Sequence, residues 1–291
     1  MHPAASVILF TALSGLGFGL LAWLGAGLPA ATGRTAFAFY FIAFALSVGG
    51  LVASTFHLGN PQRALKAFSQ WRSSWLSREG WSAVIALLVM AAYAIGAIFF
   101  GVRIEILGWL GATFCMATVF TTSMIYAQIK AVPRWNHPTT PLMFFCYSLS
   151  GGALLAGQLA IASVLLLLCG AAQYVVWHFA DQRFAARASS IETATGLGRI
   201  GKVRQFESPH TGSNYLLHEM VYVVARKHAK RLRIMALIFA SILPALMLAI
   251  TRSGQLVFVA AIALHITGLF IARWLFFAEA EHVVGLYYDK R

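Results

Sequence analysis

Charged side chains are scarce in this chain, and acidic ones are the scarcest. Of its 291 residues, 11% are Asp, Glu, Lys or Arg, only nine are acidic, and 59% are hydrophobic. A soluble domain carries roughly a quarter charged residues, because its surface must be hydrated. A soluble globular protein is therefore excluded. The repeated long apolar runs predict an all-α, polytopic integral membrane bundle that forms a single domain over residues 1–291.

Several features of other protein classes are missing as well. No acid lies deep in an apolar run, as a proton pump or cation-coupled carrier usually requires. The three cysteines lie apart inside apolar runs without Cys-x-x-Cys spacing, and the histidines in the loops show no metal-ligand spacing. There is no phosphate loop, nucleophile elbow or internal repeat. We therefore expect no catalysis by this chain alone.

Eight apolar runs are each close to the roughly 20 residues that a helix needs to cross the hydrocarbon layer. The predicted spans are 5–27, 36–58, 81–101, 104–127, 139–157, 159–180, 233–251 and 255–278. A tight turn is expected near Gly157, because one straight helix through 141–179 would be too long for the bilayer. Small residues in the first two spans should allow close helix packing; they are Gly15, Gly17, Gly19, Gly49 and Gly50.

Positive charge is divided unequally between the two sides of the predicted bundle. Eight spans place both termini on one side, and 18 of the 22 Lys and Arg residues fall on that side. The opposite side carries Arg34, Arg103 and Arg252. Because Lys and Arg stay cytoplasmic, both termini are predicted to be cytoplasmic, in the inner (plasma) membrane. The net charge of +13 is then a topology signal that also favours anionic lipid, and no nucleic acid partner is expected.

Polar residues are concentrated in three loops on the side of the termini. These loops cover 59–80, 128–141 and 181–232, whereas the connections on the opposite side are short. No residues are left over for a second folded domain. We therefore predict that the three loops are cytoplasmic docking loops for another polypeptide.

The segment 54–81, STFHLGNPQRALKAFSQWRSSWLSREGW, is the densest polar and aromatic patch in the sequence. His57 ends the second predicted span, where it can exchange protons near neutral pH and hydrogen-bond a quinone carbonyl, or simply face lipid headgroups. Gly59 and Pro61 force the backbone to leave the second span sharply. Gly59 also lacks a side chain that would keep another group from approaching the backbone closely. Arg63 lies in a short helix predicted from PQRALKAF. It can hold a quinone oxygen, or serve as a docking or headgroup charge.

Glu79 is the only acid in the first 104 residues, and it lies in the opening turn of the third predicted span. An anion is favoured there by the helix dipole. Glu79 is either a proton relay partner of His57 or a helix-start charge paired with Arg78.

Three tryptophans lie in the same segment: Trp71, Trp75 and Trp81. They either belong to the aromatic belt of a membrane protein or form the walls of a site for a flat ring.

Two ionisable residues, His265 and Arg273, fall within the last predicted span. His265 is near its middle and has no second histidine at matching depth, which a membrane b-type haem would need. It is expected to be a hydrogen-bonded histidine of the bundle interior. Arg273 lies close to the inner surface, where its side chain can snorkel. A haem-bearing b-type cytochrome subunit and an organic-anion transporter are the alternative functions at this point.

Three segments carry a recognisable family pattern. They are the opening MHPAASVILFTALSGLGFGLLA, the segment STFHLGNPQRALKAFSQWRSSWLSREG, and YAQIKAVPRWNHPTTP. In order and character they resemble the membrane anchor subunit of dimethyl sulfoxide reductase, a family that extends to the anchor of cytoplasmic sulfite dehydrogenase. The combination HLGxPxR…SxWLSRE is the specific part. The similarity covers most of the sequence through about residue 180.

The resemblance implies a quinone-reactive anchor of eight helices in a three-subunit complex, with an iron–sulfur subunit and a molybdopterin catalytic subunit as partners. It implies bound quinone, menaquinone or ubiquinone, and no haem. The family's quinone-site residues match His57, Gly59, Arg63 and Glu79, and the same motif contains Trp75 and Arg78, which we include in the predicted site. Because the basic docking face is predicted to be cytoplasmic, the sulfite dehydrogenase type is favoured over exported sulfoxide reductases.

Overall fold

The structure, a computed structural model, describes residues 1–207, 209–212, 214–221, 227–250 and 254–288. These residues are helical and contain no strand, which confirms the all-α prediction. The eight long helices are α1 (Ala5–Gly25), α2 (Gly33–Thr55), α3 (Trp75–Ile95, continued by a π-helical turn to Phe100), α4 (Glu105–Ala127), α5 (Thr139–Leu155), α6 (Leu159–Ala180), α7 (Ala229–Ile250) and α8 (Gln255–Ala278). Four of the Lys and Arg residues assigned to the two sides of the membrane lie outside the described residues. They are Arg226, Arg252, Lys290 and Arg291.

Seven of the helices in this part of the chain are long and apolar enough to cross a membrane. The remaining long helix, α5, has 17 residues. It is about 26 Å long at 1.5 Å per residue, slightly less than the hydrocarbon thickness of roughly 30 Å. The protein is therefore a multi-span membrane protein. The count of eight crossings and the side of the membrane on which the termini lie stay predictions.

The polar connections gather at one end of the bundle, which we call the loop-rich end. The N-terminal amine donates a 2.7 Å hydrogen bond to the carbonyl of Ala280, just after α8. Arg134, between α4 and α5, pairs with Asp181, which follows α6. The three predicted docking loops all start from this end, and their docking role stays a prediction.

The third helix begins before the predicted residue 81. α3 starts at Trp75, so the last six residues of the predicted connection 59–80 belong to the helix. Glu79 therefore lies in the second helical turn rather than the opening one. The reason is that Leu76, Arg78 and Glu79 are good helix formers, although the start of α3 is less apolar than the part that follows. The short helix predicted from PQRALKAF is confirmed as a 3₁₀ helix, Pro61–Gln70.

The long connection 181–232 contains only short helices in its described part. They are Arg183–Ala186, Ile191–Thr195, Leu197–Arg199 and Leu216–Met220. Its last four residues belong to α7, and residues 208, 213 and 222–226 lie outside the described ranges. The predicted turn between α5 and α6 is confirmed, since Gly157 has φ +69°, in the left-handed region that favours glycine.

Glycines in α1 permit close contact with neighbouring helices. A Cβ atom added to Gly19 would overlap the backbone carbonyl of Ser148 on α5, whereas one added to Gly15 would meet no atom within 4 Å. The close-packing prediction is confirmed for Gly17, Gly19 and Gly50 and is wrong for Gly15 and Gly49.

We expect Gly19→Ala to destabilise the protein by about 1–3 kcal/mol, because α1 and α5 must separate to accommodate the methyl group. Gly15→Ala is the matched control in the same helix. It should be neutral or stabilising by up to about 1 kcal/mol, since alanine is the better helix former. Thermal unfolding of the purified variants in one detergent measures both. Equal shifts in the two variants would show that the contact at Gly19 does not limit packing.

Candidate functional site

A crevice of about 320 Å³ opens at the loop-rich end, between the N-terminal segment and the ends of α2 and α4. Its wall is mostly apolar and is contributed by several parts of the sequence. Among the apolar lining residues are Val7, Phe10, Leu58, Leu76, Ile125, Ile129 and Phe277. The polar side chains on the wall are His2, Ser54, His57, Tyr126, Tyr215 and Glu219. A concave, apolar pocket with a few polar groups is the usual form of a small-molecule site.

His57 lies on the wall of this crevice, two residues beyond the end of α2. Its backbone N–H donates a 3.1 Å hydrogen bond to the carbonyl of Ser54. The backbone therefore continues for one more turn after α2 before it enters the loop. The neighbouring side chain of Phe56 is 78% exposed, and Leu58 lines the crevice. The imidazole is therefore a titratable hydrogen-bonding group on a predominantly apolar rim.

Glu79 lies away from the crevice wall, buried between α3 and α4 with only 4% of its surface exposed. The Thr122 hydroxyl donates to its Oε1 atom at 2.5 Å. The same hydroxyl lies 2.9 Å from the carbonyl of Thr118. A hydroxyl carries one hydrogen, so it can serve both acceptors fully only when the Glu79 carboxyl supplies the second hydrogen. The pair of Glu79 and Thr122 is thus able to hold an additional proton inside the bundle.

Tyr126 connects the region of Glu79 with the crevice. It follows Thr122 by one helical turn of α4 and lines the crevice wall. Its ring packs at 5.4 Å from the rings of Trp135 and Phe276. The sequence analysis missed Tyr126, because an aromatic residue in an apolar helix carries no functional signal. Its spacing from Thr122 is informative only once the partner of Glu79 is known.

Gly59 and Arg63 lie in the exposed segment beyond His57, outside the crevice wall. A Cβ atom added to Gly59 would meet nothing within 4 Å. Arg63 is exposed on the helix Pro61–Gln70. The structure does not gather His57, Arg63 and Glu79 into one contact cluster. A common role for these three residues stays a prediction.

Trp75 and Arg78 form a stacked pair at the start of α3, also outside the crevice wall. The Arg78 guanidinium lies 4.3 Å from the centre of the Trp75 ring. Its Nε and Nη2 atoms donate to the carbonyls of Trp71 and Arg72, at 3.0 and 2.7 Å. Arg78 thus fixes the preceding segment to α3, while Glu79 is bonded to α4. Participation of Trp75 and Arg78 in ligand binding stays a prediction.

The N-terminal segment and the long loop meet at the crevice. The backbone N–H of His2 donates a 2.7 Å hydrogen bond to the carbonyl of Glu219. Tyr215, Glu219 and Met220 of the long loop lie on the crevice wall. The sequence analysis did not foresee this contribution, because the loop carries no local pattern that indicates where it packs.

Four charged residues, which we call the ion-pair network, join the helices at the loop-rich end. They are Arg134, Asp181, Arg233 and Glu279. Arg134 contacts Asp181 and Glu279 at 2.9 Å each, and Arg233 contacts the same two acids at 2.6 Å each. Burial disfavours ionisation of Asp181, but hydrogen bonds from Arg233 and Arg134 outweigh it and hold the pKa of Asp181 below its ordinary value. Each acid therefore bridges two arginines that come from different parts of the sequence.

The two ionisable residues of α8, His265 and Arg273, are buried. The Nδ1–H group of His265 donates to the carbonyl of Ala240, 2.6 Å away in a π-helical turn of α7, which confirms a bonded interior histidine. Arg273 is only 3% exposed, so the prediction that it snorkels to the surface is wrong. Its guanidinium stacks on the Phe144 ring of α5, 3.9 Å from the ring centre. The reason is that the helical phase of α8 turns this residue towards α5.

Fold and site together define a multi-span helical membrane protein with its polar groups and its crevice at one end. The chain belongs to the family described as DMSO reductase anchor subunit (DmsC), which matches residues 1–278. It is 31% identical to the C subunit of sulfite dehydrogenase from Allochromatium vinosum, over 100% of this chain and 99% of that protein. It is also 30% identical to the C subunit of anaerobic dimethyl sulfoxide reductase from Escherichia coli, over 36% of this chain and 38% of that protein. No solved structure gives a significant match.

The protein is therefore a membrane anchor subunit of the dimethyl sulfoxide reductase and sulfite dehydrogenase type. This confirms the resemblance drawn from the motif HLGxPxR…SxWLSRE. An anchor subunit works within a complex, so the family implies association with catalytic and electron-transfer subunits of a molybdoenzyme.

Proposed function

We propose that this protein is the quinone-reactive subunit of a three-subunit molybdopterin oxidoreductase. It binds quinone or quinol in the crevice at the loop-rich end. It exchanges electrons there with an iron–sulfur subunit, and a molybdopterin subunit performs the substrate chemistry. The observation that supports this proposal most is the apolar crevice of about 320 Å³ with His57 on its wall.

The crevice has the composition that a quinone headgroup needs. Its volume is within the range of small-molecule sites, about 300–1,000 Å³. Apolar side chains such as Val7, Leu76 and Ile125 can contact the flat ring. His57 and Tyr126 offer hydrogen-bond donors for the carbonyl oxygens. The exposed ring of Phe56 beside His57 provides an apolar surface for the isoprenoid tail.

The protein's own residues handle protons in this proposal. When bound, quinone supplies a carrier of two electrons and two protons. His57 donates or accepts a proton at its imidazole, a group that exchanges protons near neutral pH. Glu79 and Thr122 hold a second proton in a part of the bundle that is closed to water. Tyr126 follows Thr122 by one helical turn and lines the crevice, so its hydroxyl is the group on α4 that we assign to pass the proton on.

The remaining predicted residues act at the mouth of the site. Gly59 and Arg63 belong to the exposed segment that follows His57, and Arg63 would contribute positive charge there. Trp75 and Arg78 hold the start of α3 in place, so that Leu76 stays on the crevice wall.

We further propose that the loop-rich end is cytoplasmic, in the inner membrane. The excess of Lys and Arg in the loops at this end supports that orientation. It places the catalytic partners in the cytoplasm. The full-length similarity to a sulfite dehydrogenase subunit agrees with electron flow towards quinone.

A matched pair of crevice variants tests the quinone site directly. Ser54 and Thr55 are adjacent, and each hydroxyl donates to the carbonyl three residues before it, at 2.7 Å. Only Ser54 lines the crevice. We expect Ser54→Phe to weaken binding of a fluorescent quinone analogue to the purified protein at least about tenfold, because the ring occupies the headgroup volume. Thr55→Phe should bind like the unaltered protein. Equal binding by both variants, or no saturable binding at all, would end the assignment of quinone to this crevice.

A further inference from the structure

Arg273 is a buried cation, and no acidic side chain in the described part of the chain forms an ion pair with it. Its Nε atom has no hydrogen-bond partner among the described residues. The guanidinium stacks on Phe144 at 3.9 Å and lies 5.5 Å from the centre of the Tyr147 ring. Aromatic faces attract a cation but do not replace the hydrogen bonds that water would give it. An uncompensated buried charge is strongly unfavourable, so a further partner is required.

A small space suitable for such a partner lies beside Arg273. It is a cavity of about 50 Å³ between α5, α6 and α8. A single water needs roughly 10–15 Å³ of such space, so the cavity holds a few waters or one small ion. On its wall, the Tyr147 hydroxyl donates to Oε1 of Gln173 at 3.1 Å, which leaves the Gln173 amide N–H groups as donors.

The charge around the cavity is positive. Its charged lining residues are Arg134, Arg183, Arg273 and Glu279. The Glu279 carboxylate is already paired with Arg134 and Arg233, at 2.9 and 2.6 Å. Arg134 is likewise engaged, with Asp181 and Glu279 at 2.9 Å each. Arg273 and Arg183 are therefore the guanidinium groups on the wall for which no described acidic side chain forms an ion pair, and the Nη1 atom of Arg183 donates to the carbonyl of Arg134. In a medium of low dielectric constant this excess favours an anion over neutral water or a cation.

We propose that this cavity binds a small monovalent inorganic anion of halide size. Arg273 supplies the charge, and the Gln173 amide supplies a hydrogen bond. The ion neutralises Arg273 and joins α5, α6 and α8 near the loop-rich end. This site is distinct from the quinone crevice. Trp135 lies on the walls of both spaces, and it is the one described residue that they share.

Thermal unfolding of the purified full-length protein in nanodiscs tests the anion site. Gluconate is replaced stepwise by bromide at constant ionic strength. We expect the unfolding midpoint to rise by about 2–4 °C, because bromide binds the folded state. Arg273→Met should abolish the rise and still fold, since an apolar residue of similar size often replaces a buried ion without loss. Arg103→Met, which removes an arginine from the α3–α4 connection, is the control and should retain the rise.

Two results would overturn the proposal. An unfolding midpoint that is the same in bromide and gluconate means that the cavity holds only water. A bromide effect that persists in the Arg273→Met variant means that the ion binds elsewhere. If the Arg273→Met variant does not fold, anomalous scattering from bromide-containing crystals of the unaltered protein shows whether bromide binds beside Arg273. A peak within hydrogen-bond distance of the Arg273 guanidinium supports the site, and its absence refutes it.

Discussion

Replacing His57 with glutamine should lower quinone-coupled turnover of the assembled complex by about 100-fold or more. General acid–base catalysis by a positioned side chain typically contributes a factor of about 10²–10⁴. Glutamine can still donate a hydrogen bond but cannot titrate, so this variant removes proton exchange and leaves binding largely intact. His57→Leu removes both functions and should in addition weaken binding of the quinone analogue. Dye-linked activity of the catalytic subunit should be unchanged in both variants, because it bypasses the anchor.

The control for His57 is another exposed imidazole at the same end of the bundle. His178, in the last turn of α6, is exposed and lies outside the crevice. His178→Gln should keep quinone-coupled turnover. Full quinone turnover in both His57 variants would end the assignment of proton exchange to His57. A comparable loss in His178→Gln would mean that the basic end as a whole, and not the crevice, is responsible.

Removal of the Glu279 charge should cause the largest loss of stability. Only 5% of its side chain is exposed, and it bridges Arg134 and Arg233. Glu279→Gln leaves both guanidinium groups with less compensation in a region that water hardly reaches. We expect a loss of about 3 kcal/mol, since breaking a buried ion pair from one side typically costs about 3–5 kcal/mol. The free energy of unfolding of the purified protein in a mild detergent measures this loss.

Asp181 provides the matched comparison for Glu279. It contacts the same two arginines, but 45% of its side chain is exposed. Asp181→Asn should cost at most about 1 kcal/mol, because solvent screens an exposed ion pair. A larger loss in Asp181→Asn than in Glu279→Gln would contradict the view that burial, rather than the number of contacts, sets the strength of these pairs.

Most of the helices could be predicted from the sequence because their signal is local. A run of about 20 apolar residues requires a helix in lipid, since its backbone groups can only bond to one another. The predicted position of His57 at the end of the second span also follows from local sequence, and it agrees with α2 ending at Thr55. The start of α3 was predicted too late. Its first turn is polar, and hydropathy alone does not distinguish a polar helical turn from a loop.

The contacts that make up the candidate site could not be predicted in the same way. The bond between Glu79 and Thr122 depends on how α3 and α4 are aligned against each other. The ion-pair network joins residues far apart in the sequence, and no local pattern relates them. The wrong prediction for Arg273 has a similar cause. Its depth in the span follows from the sequence, but the direction in which its helix presents it does not.

The separation of the four charged residues along the sequence has a consequence for biosynthesis. Arg134 emerges from the ribosome first, Asp181 and Arg233 follow, and Glu279 comes only after the last long helix. The pairs of Arg134 and Arg233 with Asp181 can form earlier, but the complete network can form only after α8 has been synthesised. A subunit that recognises the complete network would bind chains that contain α8 in preference to shorter nascent chains. The order of assembly would then be encoded in the anchor itself.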